Sequence, residues 1–164
     1  MKKLFTFLSF VIMTHLSIAN NVTTANVSVG SQNTSLHYSM VKFDIAWENS
    51  WRTVTNESNY DGCWIFVKFR KKNTYAWQHA TFNYVSPGTA GASGHTEPSG
   101  STISTPSDGK GIFIYRNAVG NGNINWTGAQ LRWNYGADGV ADNDSVEIKL
   151  FAVDLVYIPQ GSFY

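Results

Sequence analysis

The feature that most constrains the fold is a strict two-residue alternation between positions 41 and 48. In "VKFDIAWE", Val41, Phe43, Ile45 and Trp47 are apolar, and all but one of the residues that follow them are charged. A period of two places such side chains on one face of a β-strand, where β-branched and aromatic residues are favoured. The segment therefore predicts a strand with one face in a core and the other toward solvent.

The same alternation recurs along the chain. In "CWIFVKFR", positions 63, 65, 67 and 69 face one way, while Trp64 and Phe66 lie on the other face. Apolar residues on both faces predict a central strand that is covered on both sides at its start. Further strands are predicted at 27–29, 75–82, 101–105, 111–116, 129–135 and 145–158, with Lys71–Thr74 as a hairpin turn.

Glycine, asparagine and serine separate these strands, and no stretch carries the apolar spacing and caps of an amphipathic helix. The segments 86–110 and 117–128 are predicted to be loops. Since parallel strands need long crossovers that are usually helical, the strands are expected to pair antiparallel. The predicted fold is all-β, an antiparallel β-sandwich of about six to eight strands.

The amino terminus has the three regions of a secretory signal peptide. Lys2 and Lys3 precede an apolar run, which closes with the small residues Ser17 and Ala19. We expect residues 1–19 to be removed, 20–35 to form a lead-in segment and 36–153 to form the β-sandwich domain. The apolar run is too short for a comfortable membrane span. The mature chain is thus expected in the periplasm, on the cell surface or outside the cell, and the short Lys-Lys-led signal is typical of bacteria.

Composition excludes some partners. The net charge is +1 and charged residues make up 14% of the chain, without a basic or acidic block. A nucleic-acid partner requires a basic patch, so none is expected. Aromatic residues make up 15% of the chain, enough for a substantial apolar core.

Cysteine and histidine suggest no cofactor. Cys63 is the one cysteine, so it has no internal disulfide partner; it either packs as a buried thiol or pairs with another chain or domain. The histidines lack the spacing of a metal site. His79 is expected to be a hydrogen-bonded structural residue, and His95 to be solvated in its loop.

The acidic turn "GADGVADND" leaves two interpretations open. Asp138, Asp142 and Asp144 suggest a calcium loop, although their spacing does not fit an EF-hand. Ordinary turn chemistry explains the same residues. No nucleophile, base or paired carboxylate is arranged for catalysis, so the chain is predicted not to be an enzyme.

Tryptophan points to carbohydrate binding as a second function. Exposed indole faces on a secreted sandwich stack against sugar rings, with polar side chains nearby for the hydroxyls. Trp51 and Trp126 lie at predicted turns and are the candidate ligand-binding residues. Trp47, Trp64, Trp77 and Trp133 lie in strand patterns and are expected in the core.

The end of the chain resembles the entry to the catalytic domain of the sulfatase-modifying factor (formylglycine-generating enzyme) family. There an aliphatic and aromatic strand leads into Pro-x-Gly-x-Phe; here 155–158 leads into Pro159, Gly161 and Phe163, with Gln160 where the family usually has Gly. The segments "FDIAWENSWR", "CWIFVKFR", "WQHATF", "GIFIYR" and "WTGAQLRWNYGADG" look like the amino-terminal β domain of exported bacterial members. The resemblance covers about residues 41–164.

The resemblance implies that any catalytic part lies outside this chain. Family enzymes oxidise a substrate cysteine to formylglycine with paired cysteines and copper, and those cysteines lie far downstream of the Pro-x-Gly entry. None maps onto this chain, so residues 154–164 are expected to begin a truncated formylglycine-generating-enzyme-like domain.

Two functions are therefore expected. The first is a non-catalytic amino-terminal β-sandwich that positions its missing downstream domain or binds a partner. The alternative is a secreted carbohydrate-binding or adhesive module, with a glycan or a cell-surface protein as partner.

Overall fold

The computed structural model describes residues 20–55, 58–86 and 93–161, and within these ranges it contains strands and no helix. The predicted signal peptide lies outside the described residues. The strands are β1 (Thr23–Asn33), β2 (Tyr38–Arg52), β3 (Tyr60–Lys71), β4 (Gln78–His79), β5 (Ser101–Ser104), β6 (Ile112–Arg116), β7 (Gly120–Trp133) and β8 (Val146–Tyr157). The all-β prediction is confirmed.

The strands form one antiparallel sheet that curls into two layers. In the first layer β2 lies between β1 and β7. In the second layer β3 lies between β8 on one edge and β6 and β4 on the other, with β5 beside β6. The layers are joined where β2 leads into β3, at the pair Arg52–Tyr60.

The core lies between the two layers and is built from the alternating positions. Aromatic rings cross from one layer to the other, as where Phe69 of β3 lies 5.0 Å from Trp133 of β7. Each fully buried large side chain stabilises the fold by about 1.5–3 kcal/mol. The largest buried side chains are Trp47, Trp133, Phe43, Phe69, Phe82, Ile45, Ile65, Ile112, Ile114, Leu131, Val41 and Val67.

A buried carboxylate holds the corner between the layers. Asp61 is fully buried at the start of β3. It accepts hydrogen bonds from the Trp47 indole N–H (2.7 Å), the Ser50 hydroxyl (2.7 Å) and the Trp51 backbone N–H (3.0 Å). Three donors compensate the cost of burying this side chain, so the network fixes the end of β2 against β3.

The segment 117–128 differs from the prediction, because β7 begins at Gly120 and runs through the glycine and asparagine residues. Gly122 and Gly128 have φ of 110° and 72°, and the β2–β7 register shifts close to each of them. Glycine adopts these angles at little cost, so the strand continues through bulges instead of ending.

Two predicted strands differ in length from those observed. The predicted strand 75–82 is reduced to Gln78–His79 and an isolated bridge at Phe82. The short strand expected at 27–29 extends over all of β1, so most of the lead-in belongs to the sheet. The predicted strand 145–158 agrees with β8, which pairs with β3 from Val146 to Tyr157.

Candidate functional site: an aromatic face on the second layer

The outer surface of the second layer carries a continuous set of aromatic and aliphatic side chains. Its rows follow the strand register, in which Trp64 of β3 is paired with Phe113 of β6 and with Val153 of β8. All of these side chains are half-buried or exposed, and Tyr157 is 50% exposed. We call this surface the aromatic face; it comprises Tyr60, Trp64, Phe66, Phe113, Tyr115, Phe151, Val153, Leu155 and Tyr157.

The rings of the aromatic face pack side by side. Phe66 and Phe151 stack at 5.0 Å with 10° between their planes, and Tyr60 and Tyr157 stack at 4.7 Å and 21°. Trp64 and Phe113 contact each other at 4.5 Å with a tilt of 55°. Cross-strand aromatic pairs of this kind stabilise a sheet, and here they also hold the rings in place.

A groove crosses one end of the aromatic face above Gly62. The groove has a volume of about 330 Å³. A Cβ at Gly62 would lie 2.9 Å from the Ile114 carbonyl oxygen and 3.0 Å from the Tyr115 Cβ, so the floor fits glycine alone without movement. Its lining residues are Tyr60, Gly62, Ser104, Phe113, Tyr115, Leu155, Val156 and Tyr157.

Arg52 fixes the tyrosines at the inner end of this groove. Its guanidinium carbon lies 4.8 Å from the Tyr60 ring centroid and 5.4 Å from that of Tyr115. The same guanidinium donates a hydrogen bond to the Arg116 carbonyl. Burial, with a smaller contribution from Tyr115, raises the pKa of Tyr60 above its usual value of 10.0, so Tyr60 remains a neutral phenol at physiological pH.

The opposite end of the aromatic face is charged. Arg70 and Glu147 form an exposed ion pair at 2.6 Å. Arg70 and Lys149 each lie 4.8 Å from the ring of Trp77, which is half-buried between the two cations. These charged side chains lie between the aromatic face and the β3–β4 turn.

The alternation around Trp64 signalled this face, which the sequence pattern predicted to be covered at the start of the strand. Both Trp64 and Phe66 are half-buried. In the part of the chain that the structure describes, their neighbours include rings of adjacent strands, the ring of His79 and, for Trp64, the backbone at Gly111. The missing information was the β8 register, which places Phe151, Val153 and Leu155 on the same side.

The two candidate tryptophans lie elsewhere. Trp126 points inward from β7, is 8% exposed and contacts Trp47 edge-on at 5.1 Å, which leaves little of its indole for a ligand. Trp51 is half-buried and donates its indole N–H to Asn59 Oδ1 at 3.0 Å. Of the four tryptophans expected in the core, Trp47 and Trp133 are buried.

The three aspartates of the acidic turn point to different partners. Asp138 accepts from the Trp133 indole (2.6 Å) and the Thr81 hydroxyl (2.6 Å). Asp142 accepts from the Tyr135 hydroxyl at 2.6 Å, and Asp144 pairs with Lys71 at 2.8 Å. Within the described residues no group of three acidic, histidine or cysteine side chains is placed to hold a metal ion. Tertiary hydrogen bonds and an ion pair therefore engage these aspartates, and Asp144 also accepts the Ala141 backbone N–H within the turn at 2.9 Å.

His95 is not solvated as expected. Its Nδ1 accepts the Arg132 backbone N–H at 3.0 Å, and its Nε2 lies 3.0 Å from the Thr105 hydroxyl. Burial lowers the pKa of His95 to about 4. His79, expected to be structural, is exposed on β4 beside Phe66.

Cys63 is fully buried on the inner face of β3, where burial raises the pKa of its thiol. A buried neutral thiol is unreactive, so the packing interpretation of Cys63 fits this position.

Comparison with known proteins identified no relative of this chain. The chain matches no known family model, no curated protein and no solved structure. Across the residues that the structure describes, no helix has the length and apolar character needed to cross a membrane. The aromatic face is therefore assigned a role on its geometry and chemistry alone.

Proposed function

We propose that the chain is a non-catalytic, exported carbohydrate-binding module that uses the aromatic face as its binding surface. Sugars present apolar C–H faces, which pack on exposed aromatic and aliphatic surface while nearby hydroxyl groups bind the sugar hydroxyls. The observation that carries the proposal is the continuity of the outward rings from Phe66 and Phe151 to Tyr60 and Tyr157.

Exposure supports the proposal. Single exposed apolar residues are ordinary on protein surfaces, whereas a contiguous apolar patch marks an interaction site. Phe151, Val153, Leu155 and Tyr157 are each between 41% and 50% exposed and follow one another along the same side of β8. Sheet formation requires none of these large side chains to face outward, because the core takes the opposite face of β3.

Glycan-array and polysaccharide pull-down measurements on the mature chain test the proposal. We expect saturable binding in the parent, and at least a tenfold loss in Phe151→Ala and in Tyr157→Ala. Tyr75→Ala is the matched control, because Tyr75 is 94% exposed but lies in the β3–β4 turn, away from the aromatic face. This control should bind like the parent.

Trp51→Ala and Trp126→Ala separate the proposed surface from the one predicted by sequence. Loss of binding in a folded Trp51→Ala variant, with binding retained in Tyr157→Ala, would move the site to the predicted tryptophans. Absence of binding to every glycan and polysaccharide tested would contradict the proposal. Evidence that the aromatic face serves only self-association or the docking of another protein would also contradict the proposal.

A second proposal rests on the resemblance of residues 155–163 to the entry of formylglycine-generating enzymes. In that proposal the module accompanies and positions such a domain in an exported bacterial protein. Sequencing of the gene beyond the codon for Tyr164 tests it. The proposal expects several hundred further codons that include paired cysteines, and a stop codon directly after Tyr164 would contradict it.

A further inference from the structure

We infer that the groove above Gly62 is a subsite for one neutral pyranose ring, and that Gly62 and Leu155 determine its size. The inference rests on the proposed carbohydrate-binding function and deepens it, because it assigns one part of the aromatic face to one ring of the glycan. The rest of the aromatic face then supports the neighbouring sugars.

The shape of the groove supports a single ring. Its volume of about 330 Å³ is at the lower end of the range for small-molecule sites, which is about 300–1,000 Å³. Gly62 supplies a floor without a side chain between Tyr115 on β6 and Leu155 on β8. Any larger residue at position 62 would collide with the Ile114 carbonyl or with Tyr115.

The chemistry of the lining favours a neutral polyol. Tyr60, Tyr115 and Tyr157 contribute phenol groups and Ser104 contributes a hydroxyl, while Phe113, Leu155 and Val156 contribute apolar surface. Among the described side chains that line the groove, none is charged. An acidic sugar would lose its hydration there without gaining a lining cation, so the uncharged lining matches an uncharged ligand.

The cation Arg52 packs against two of the lining tyrosines. Arg52 lies against the rings of Tyr60 and Tyr115 and donates to the Arg116 carbonyl. This arrangement holds the tyrosines in position and directs the guanidinium at their rings and at the Arg116 carbonyl. Arg52 is therefore a positioning residue for the subsite.

The subsite lies at one end of a longer track. From the groove, the face continues through Trp64 and Phe113 to the stacked Phe66 and Phe151. A disaccharide thus places one ring in the groove and makes few contacts beyond it, whereas a polysaccharide gains further contacts along the aromatic face. Blocking the groove should therefore affect short ligands far more than long ones.

Isothermal titration with neutral disaccharides tests the inference, with cellobiose, maltose, lactose and chitobiose as probes and a uronic-acid disaccharide as the charged comparator. We expect at least one neutral disaccharide to bind the parent, and Leu155→Trp, which fills the groove, to weaken that binding at least tenfold. Tyr157→Phe should weaken it about three- to tenfold, because it removes one hydroxyl and keeps the ring. Binding of insoluble polysaccharide by Leu155→Trp should fall less than its binding of disaccharides.

The results of these titrations distinguish failure of the subsite from failure of the proposed carbohydrate-binding function. If the parent binds no carbohydrate at all, both fail. If the parent binds polysaccharide through the aromatic face but binds no disaccharide, prefers the acidic disaccharide, or is unaffected by Leu155→Trp, the subsite is wrong and the function stands. If circular dichroism shows that Leu155→Trp is unfolded, Ser104→Trp takes its place. This second variant fills the groove from β5.

Discussion

The strands β2 and β3 have the same apolar inner face, but the outer face of β2 is mainly charged and that of β3 is mainly aromatic. Residues 41–48 and 63–70 alternate between buried and half-buried in the same order, position by position. Outward from β2 stand Lys42, Asp44, Ala46 and Glu48, whereas Gly62, Trp64, Phe66 and Lys68 stand outward from β3. The core therefore imposes one pattern on both strands, and the outer faces are free to differ.

The polar contacts of the first layer show what an outer face needs for stability. Asp44 accepts hydrogen bonds from the Asn26 amide at 2.5 Å and the Gly128 backbone N–H at 2.7 Å, and so joins β1, β2 and β7. These contacts join the three strands of the first layer through polar groups at this point of its outer face. A largely polar outer face is thus sufficient there, and the proposed binding role is one account of the aromatic outer face on the second layer.

The largest expected effect tests the shared inner face. Phe43 of β2 and Phe69 of β3 are 1% and 0% exposed, and replacing either with alanine should lower the free energy of unfolding by about 3–5 kcal/mol. Urea denaturation followed by tryptophan fluorescence measures both. A loss below about 1 kcal/mol in one of them would show that the two inner faces are not equivalent.

Mutation at the corner between β2 and β3 should lower the free energy of unfolding nearly as much as loss of a core phenylalanine. Asp61→Ala leaves the Trp47 indole N–H and the Ser50 hydroxyl without their acceptor, so we expect a loss of about 3 kcal/mol in urea denaturation. Asp44→Ala, which removes a carboxylate from the outer face of β2, is the control and should cost much less. Equal losses would remove the distinction between the corner and the outer face.

As the pH is lowered, the first layer should lose stability before the second layer does. Burial lowers the pKa of His95 from its ordinary value of 6.5 to about 4 in the folded chain, so the unfolded chain binds more protons between these two values. The contribution of His95 to stability is complete above pH 6.5 and is lost as pH falls toward 4, by about 2–3 kcal/mol.

The variant His95→Asn keeps a side-chain acceptor for the Arg132 backbone N–H but does not titrate. Its stability should therefore depend less on pH than that of the parent between pH 6.5 and 4. Hydrogen exchange should show earlier loss of protection at Gln130–Arg132 of β7 than along β8 as the pH is lowered. Simultaneous loss in both strands would contradict this order.

The smallest expected effect concerns the aromatic face itself. Phe66→Ala removes one ring of the Phe66–Phe151 stack, which is worth about 1 kcal/mol or less. The comparison is with Phe69→Ala, three residues along the same strand. If Phe66→Ala were as destabilising as Phe69→Ala, the aromatic face would be part of a core and its assignment as a binding surface would fall.

Local patterns predicted the parts of the fold that local chemistry controls. The alternations at 41–48 and 63–70 identified β2, β3 and their buried residues correctly. Glycine and asparagine were poorer guides, because "NGNINWTG" is a bulged strand whose pairing with β2 outweighs its turn-like composition. That error placed Trp126 at a turn, whereas it is inside the sandwich.

The site was less predictable than the fold. Trp64 and Phe66 were recognised as facing away from the core, but the sequence pattern of one strand does not show whether another layer covers its second face. His95 likewise lies in a segment of loop composition, and its burial depends on β7 and Thr105, which lie 37 and 10 positions away in the chain.

By itself the sequence determined that this chain forms antiparallel strands with one apolar side each, because side-chain alternation is a local property of an extended backbone. Only the tertiary structure decided which strands are neighbours. The pairing of β8 and β6 with β3 aligns rings that are up to 97 positions apart, such as Tyr60 and Tyr157, and leaves Gly62 as a gap between them. A surface assembled from three strands exists only once their register is set.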